Sequence, residues 1–245
     1  MLAIIGGSGL SKLGNMEVVQ RKVVRTPYGE PSGALILGRI ADCEVVFLAR
    51  HGYGHTIAPH QVNYRANLWA LKDSGARSVV SVASVGGIRK DLGPGVLVLP
   101  HQVIDYTWGR PSTFFEGTGA PVNHIDFTEP YSSELRAQLV KAAAASKEKI
   151  VDKGVYAATQ GPRLETAAEI TRLERDGADV VGMTGMPEAA LAREISLEYA
   201  AINVVANYAA GRAESEHAIP LDRISAVLDE SMGRVRRIIE ALCKK

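Results

Sequence analysis

The sequence lacks the usual marks of a membrane protein, a disulfide scaffold or a nucleic-acid binder. Only two cysteines, Cys43 and Cys243, stand among 245 residues, with no metal-ligand or redox spacing between them. They read as free thiols in a reducing, cytoplasmic compartment. No uninterrupted apolar run reaches the ~20 residues of a membrane span, and the opening MLAIIGGSGL has neither a basic start nor a cleavage site. Excess charge is missing too. Lys and Arg number 28 against 27 Asp and Glu, a net +1, which removes the long-range field that draws a chain to nucleic acid or anionic lipid. Neither the GxxxxGK(S/T) phosphate loop nor the GxGxxG dinucleotide fingerprint occurs, so nucleoside triphosphate and NAD readings have no support. No repeat or low-complexity linker divides the chain.

What is present is globular. Hydrophobic residues at 46% and charged residues at 22% suit one large domain, which at this length buries roughly three quarters of its unfolded surface and needs no disulfide or metal to hold a core. Apolar runs predict strands at Leu2 to Ile5, Ala34 to Ile40, Glu44 to Ala49, Ser78 to Val85, Val96 to Leu99, Val103 to Tyr106, Gly154 to Ala158, Asp179 to Met183 and Ala200 to Ala206. The second and third form a hairpin around Ala41-Asp42-Cys43. Helical spacing predicts helices at Gln61 to Asp73, Glu134 to Glu148, Glu165 to Arg175, Pro187 to Ile195 and Leu221 to Leu242. Strand and helix alternate, the signature of a largely parallel α/β sheet. Between them, Thr107 to Pro130 carries so many Gly and Pro breakers that it reads as one long loop, of the kind used as lids or partner contacts.

Several strands run into loops rich in small and polar groups: Gly6-Gly7-Ser8-Gly9, Arg50-His51-Gly52, Ser84-Val85-Gly86-Gly87 and Met183-Thr184-Gly185. Ligands of open α/β sheets bind at the carboxyl ends of strands, so these loops can converge on one pocket. Glycines let backbone N–H groups approach an anion, Ser8 and Thr184 supply hydroxyls, and Arg50 supplies a planar fork matched to phosphate. Taken singly, each has a plainer reading. A glycine pair is also a tight turn, and the acid of Pro187-Glu188 also suits the first turn of any helix.

The order of motifs adds more. Gly6-Gly7-Ser8-Gly9-Leu10, Thr26-Pro27-Tyr28-Gly29, Arg50-His51-Gly52, the stretch Asn63 to Leu71, Gln160-Gly161-Pro162-Arg163-Leu164-Glu165-Thr166 and Gly182-Met183-Thr184-Gly185-Met186-Pro187-Glu188 resemble, in this sequence order, the methylthioadenosine phosphorylase and purine nucleoside phosphorylase family. Within it they are most similar to the bacterial S-methyl-5'-thioinosine branch. The resemblance implies a single α/β domain with a mixed, barrel-like sheet flanked by helices, assembled as a homotrimer. It implies phosphorolysis, in which inorganic phosphate attacks C1' of a purine nucleoside and no metal or organic cofactor takes part. Carried over by motif, Ser8, Arg50, His51, Ser84 and Thr184 would hold phosphate, Met183 would pack against the ribose, and His124 in the long loop would reach the neighbouring subunit's site. Glu188 would orient groups near the ribose, and Gln160 would lie close to the pocket.

The base and the 5' substituent are read at a few positions. Adenine-preferring relatives place aspartates where this chain has Asn207 and Ala209. An asparagine amide can donate to O6 of a 6-oxopurine while its oxygen accepts from the base; an ionised carboxylate can only accept. Asn207 is therefore the expected catalytic and base-reading residue. Glu165 matches the glutamate that accepts N1–H in 6-oxopurine phosphorylases. Ile219, Leu221 and Ile224 resemble the apolar segment around a methylthio group and offer a 5'-hydroxyl nothing. By themselves, Asn207 also suits a turn, Glu165 a helix start, His124 the surface and the aliphatic residues a core. The expected activity is phosphorolysis of S-methyl-5'-thioinosine to hypoxanthine and 5-methylthioribose 1-phosphate. The alternatives are an inosine and guanosine phosphorylase, a methylthioadenosine phosphorylase of relaxed base choice, and a non-catalytic nucleoside binder, which would have lost its phosphate ligands.

Overall fold

A computed structural model describes residues 1–10, 13–117 and 121–244. The chain builds β1 (Leu2–Gly6), β2 (Glu17–Lys22), β3 (Leu35–Ile40), β4 (Cys43–Ala49), α1 (Tyr64–Asp73), β5 (Ser78–Gly87), β6 (Leu97–Leu99), β7 (Gln102–Asp105), α2 (Ser133–Ala145), β8 (Val151–Asp152), β9 (Val155–Ala158), α3 (Ala167–Arg175), β10 (Val180–Gly182), α4 (Glu188–Glu194), β11 (Glu198–Tyr208) and α5 (Leu221–Cys243). Most apolar runs therefore become the expected elements, and the described residues of 107–130 hold no helix or strand. β2 and β8 are additions that the sequence reading did not contain.

The strands form one sheet in the order β2-β3-β4-β1-β5-β10-β9-β7, with β11 also paired to β5 and β6. It is mixed rather than largely parallel. β1 is parallel to β4 and β5, and β11 is parallel to β5, while β10 runs antiparallel across Gly86 and Gly87. β5 thus meets β1 along its first half and β10 along its last residues, and at this branch the sheet turns into a barrel-like form.

The sheet is covered on both faces. Ile4, Val82, Ile202 and Val204 pack against Leu135 and Leu139 of α2 and against Leu228, Val235 and Ile239 of α5. Ile5, Val79, Ala201 and Val205 face Leu68 and Leu71 of α1 and Leu191 of α4. Alternate residues of one strand enter opposite cores because side chains alternate along a strand. The helices start where local chemistry allows: Asn63 and Ser132 accept from the backbone N–H of Ala66 and Leu135, and Thr166 with Glu169 forms a reciprocal capping box. The two cysteines, both free, meet at the far end of the sheet, where Cys43 Sγ donates to the Cys243 carbonyl at 3.6 Å. Among the described residues no helix is long and apolar enough to cross a membrane.

This arrangement brings strand ends into line. Gly6 stands opposite both Ala49 and Val82, and Val82 opposite Ile202. The loops after β1 and β4, the last residues of β5 and the end of β11 therefore open onto the same side. A register shift between Val205 and Asn207 bulges β11 there, and bulges re-aim side chains next to functional sites.

Candidate functional site

A cavity of about 460 Å³ lies at these strand ends. Its walls include Ser8, Arg50, His51, Ser84 and Thr184, together with Glu165, Met183, Asn207 and Ile219. The fold thus brings together residues drawn from the loops after β1, β4, β9 and β10 and from β5 and β11. Leu221 and His124 are not among them. Leu221 is 64% exposed and borders a neighbouring depression instead. Helical side chains tilt toward the N-terminus, so the first residue of α5 projects past the helix end, and Ile224, one turn on, lines the cavity. His124 is an exposed loop residue of this single chain.

Arg50 differs from the expectation most. It is 1% exposed and its fork is directed at Glu188, with Nε donating to Oε2 at 2.8 Å and Nη2 to Oε1 at 3.0 Å. Nη2 also donates to Ser81 Oγ at 2.5 Å and Nη1 to the Val82 carbonyl at 3.1 Å. Among the described residues four of the five guanidinium protons are thus committed, which leaves one on Nη1. Burial works against the charge, but the Glu188 carboxylate outweighs it and holds Arg50 protonated more firmly than usual. Glu188, fully buried, also accepts from Ser81 Oγ at 2.6 Å and Tyr199 Oη at 2.8 Å. It is no ordinary first-turn acid, and it holds Arg50 rather than groups near the cavity's centre.

Gly7 explains part of the glycine motif. Its N–H donates to the Val82 carbonyl at 3.0 Å, so it is not an anion donor. A Cβ on it would lie 2.7 Å from Arg50 Nη1; the glycine makes room for the guanidinium. Gly182 does the same for Tyr156, whose hydroxyl would lie 2.3 Å from a Cβ there and accepts the Thr184 N–H at 3.2 Å. The Thr184 backbone is thereby anchored beneath the cavity its side chain lines.

His51 Nδ1 lies 2.8 Å from the Ile57 carbonyl. Burial, and then the charge of Arg50, push its pKa down to about 4, so near neutral pH the ring is uncharged, Nδ1–H donates to Ile57 and Nε2 is left as an acceptor. A residue that the sequence reading missed stands beside it. His55 also lines the cavity, with its ring 4.8 Å from that of His51 and Nε2 3.5 Å from Ser8 Oγ. Its φ of 51° is a left-handed conformation uncommon outside glycine, in which histidine is enriched together with asparagine and aspartate. The recurrence of a second histidine after Arg50-His51-Gly52 was the available signal.

On the other wall, Glu165 Oε1 accepts from Thr159 Oγ1 at 2.6 Å, and Asn207 Nδ2 donates to the Tyr208 carbonyl at 2.6 Å. Arg110, also missed, is a buried cation from the long loop. It donates to the carbonyls of Met183, Met186 and Gln160 at 2.8, 2.6 and 2.9 Å, clamping the two segments that carry Met183 and Glu165. Gln160 accepts from Arg110 Nε at 3.3 Å and borders the adjoining depression, not this cavity. Among the described residues no cluster of His, Cys, Asp or Glu could hold a metal ion.

Residues 1–244 match the family model described as the phosphorylase superfamily. The chain is 54% identical over 234 residues to a probable S-methyl-5'-thioinosine phosphorylase of Pseudomonas syringae pv. tomato, covering 96% of this chain and 94% of that one. It is 46% identical over 215 residues to a 6-oxopurine nucleoside phosphorylase of Pyrococcus furiosus, covering 86% and 80%. Among solved structures, the methylthioadenosine phosphorylase of Schistosoma mansoni in complex with adenine superposes with a TM-score of 0.93 at 34% identity, over 99% of this chain and 90% of that one.

Proposed function

The chain belongs to the phosphorylase superfamily, and from that premise we propose that it cleaves S-methyl-5'-thioinosine with inorganic phosphate, giving hypoxanthine and 5-methylthioribose 1-phosphate. The observation that carries this reading is one cavity whose walls combine hydroxyl and imidazole groups for an oxyanion, a thioether, an apolar edge and a Glu-Asn pair.

Ser8, Ser84, Thr184 and the remaining Nη1–H of Arg50 donate to phosphate, with His51 Nε2 accepting a phosphate proton. Phosphate attacks C1' as the bond to the purine nitrogen breaks, through a ribosyl cation between two anions. The protein contributes by holding nucleophile and sugar in line and by stabilising charge on the departing purine. Met183 packs against the ribose. Glu165 accepts N1–H and Asn207 donates to O6, a pairing that a 6-oxopurine satisfies and adenine does not. Ile219 and Ile224 leave a 5'-hydroxyl without a hydrogen bond, whereas a methylthio group gains ~0.8 kcal/mol per buried carbon. The step needs neither a metal nor an organic cofactor.

Similarity to the Pyrococcus furiosus protein favours one second reading, a 6-oxopurine phosphorylase acting on inosine and guanosine. A panel of methylthioinosine, methylthioadenosine, inosine and adenosine with phosphate separates the two. Methylthioinosine is expected to have the highest specificity constant; inosine in first place would favour the second reading.

The exposed Trp108, Phe115 and Val122 of the long loop fit a homotrimer in which His124 reaches the neighbour's cavity. Sedimentation at three chain masses is expected, and a fully active monomer would refute it. Two free thiols fit a cytoplasmic setting.

His55 completes the phosphate set in this reading. Because Glu188 occupies Arg50's fork and His51 is neutral, a further donor is wanted near Ser8. His55→Asn keeps a residue tolerant of the left-handed backbone and is expected to raise the phosphate KM about tenfold, the scale of one hydrogen bond to a charged group, with the nucleoside KM unchanged. Steady-state kinetics at varied phosphate check this, and an unaltered phosphate KM removes His55 from the site.

A further inference from the structure

Glu165 can select a purine only if its carboxylate stays where the base arrives. A glutamate has three side-chain torsions, and a partly exposed one is free to leave. Thr159 removes that freedom. It directly follows β9, and its own N–H donates to the Gly182 carbonyl at 2.8 Å, tying it to the strand that delivers Met183 and Thr184. Its carbonyl and that of Gln160 accept from Arg110 Nη2 at 3.3 and 2.9 Å. The backbone carrying the hydroxyl is therefore fastened on two sides.

The hydroxyl has two acceptors in reach, Glu165 Oε1 at 2.6 Å and the Gly182 carbonyl at 3.2 Å, but only one proton. The Gly182 carbonyl already takes the Thr159 N–H. The carboxylate is nearer and, being charged, the stronger acceptor. The proton goes to Oε1, which leaves Oε2 as the oxygen free to meet a base.

We propose that Thr159 is a positioning residue for purine selection: its hydroxyl locks the Glu165 carboxylate as an acceptor before the base enters, which rewards an N1–H and penalises an N1 lone pair. This rests on the reading of Glu165 as the N1 partner. A locked acceptor meets the N1–H of a 6-oxopurine without reorganisation. Facing a 6-aminopurine it sets lone pair against lone pair and cannot turn away. Without the lock Glu165 swings aside, so the right base gains less and the wrong base loses less, and the preference narrows from both sides.

The test uses Thr159→Val, which replaces the hydroxyl by a methyl group of similar size, Thr159→Ser, which restores the hydroxyl, and Glu165→Gln. Specificity constants for methylthioinosine and methylthioadenosine are measured at saturating phosphate, together with the phosphate KM. Thr159→Val is expected to reduce the methylthioinosine preference about tenfold, the worth of one hydrogen bond to a charged group, with the phosphate KM unchanged. Thr159→Ser is expected to keep the parent ratio. A parent-like ratio in Thr159→Val, or an equal loss on both substrates that serine does not rescue, overturns the proposal. Should Glu165→Gln also leave the ratio intact, the reading of Glu165 itself falls; should Glu165→Gln collapse the ratio and Thr159→Val not, only the role of Thr159 falls.

Discussion

Glu188→Leu is expected to unfold at a much lower temperature than the parent and to lose tight phosphate binding. The substitution leaves the Arg50 guanidinium, 1% exposed, without its counter-charge and takes the acceptor from Ser81 Oγ and Tyr199 Oη. Breaking a buried ion pair from one side costs about 3–5 kcal/mol. For a chain of this size that is a fall in Tm of roughly 6–20 °C. Arg50→Met should be comparably destabilising, because it strands the carboxylate instead. The double variant separates structure from function. With neither charge present, the part of the loss due to a stranded charge should return, since a buried pair is often worth little more than apolar residues of similar volume, while the part due to Ser81 Oγ and Tyr199 Oη losing their acceptor stays. Phosphate binding should not return, because the free Nη1–H is gone. Thermal unfolding of the four proteins and their phosphate KM values check this, and a Glu188→Leu variant as stable as the parent would show that the pair is not what holds Arg50.

That pair marks the limit of what the sequence discloses. Strands with apolar residues on both faces, such as Ser78–Gly87 and Glu198–Tyr208, are legible because burial on two sides leaves a continuous run. β2 is not: Glu17–Lys22 is an edge strand exposed along almost its whole length, so no periodicity distinguishes it from a loop. Gly86 and Gly87 do close β5, and they remain paired there with β10 and β11. A Cβ on Gly87 would approach the Leu92 carbonyl to 1.9 Å, so this glycine marks a close backbone approach as well as the strand's end, which the sequence alone does not tell. In the site, residue types were legible and partnerships were not. Arg50 and Glu188 stand 138 positions apart, and nothing local distinguishes a guanidinium that faces a ligand from one that faces a buried carboxylate. Arg110 sits between Gly109 and Pro111 like any surface-loop residue, and Thr159 looks like the polar end of a strand. Their meaning arises only when separate loops are brought to the same strand ends.

Asn207→Asp is expected to turn the enzyme's preference from methylthioinosine toward methylthioadenosine. In the parent, Asn207 Nδ2 spends one proton on the Tyr208 carbonyl at 2.6 Å, and in the proposed reading its second goes to O6 of the base. The aspartate has no proton to give to O6. Its carboxylate would also meet the Tyr208 carbonyl oxygen with like charge, so it must turn toward the cavity, where it can accept from the 6-amino group or from a proton on N7 of adenine. Leaving a buried acceptor facing O6 costs about 1–3 kcal/mol, which is roughly fivefold to beyond a hundredfold in relative specificity constant. The effect should exceed that of Thr159→Val, because it removes the reading group itself rather than its support. Ala209, two residues on and buried, offers adenine no second carboxylate, so the gain on methylthioadenosine should be smaller than the loss on methylthioinosine. Both constants must be measured at the same phosphate concentration in variant and parent, since a phosphate defect would lower them together and leave their ratio alone. An unchanged ratio would mean that Asn207 does not read the purine's 6 position, and discrimination would then rest on Glu165 and the hydroxyl that holds it.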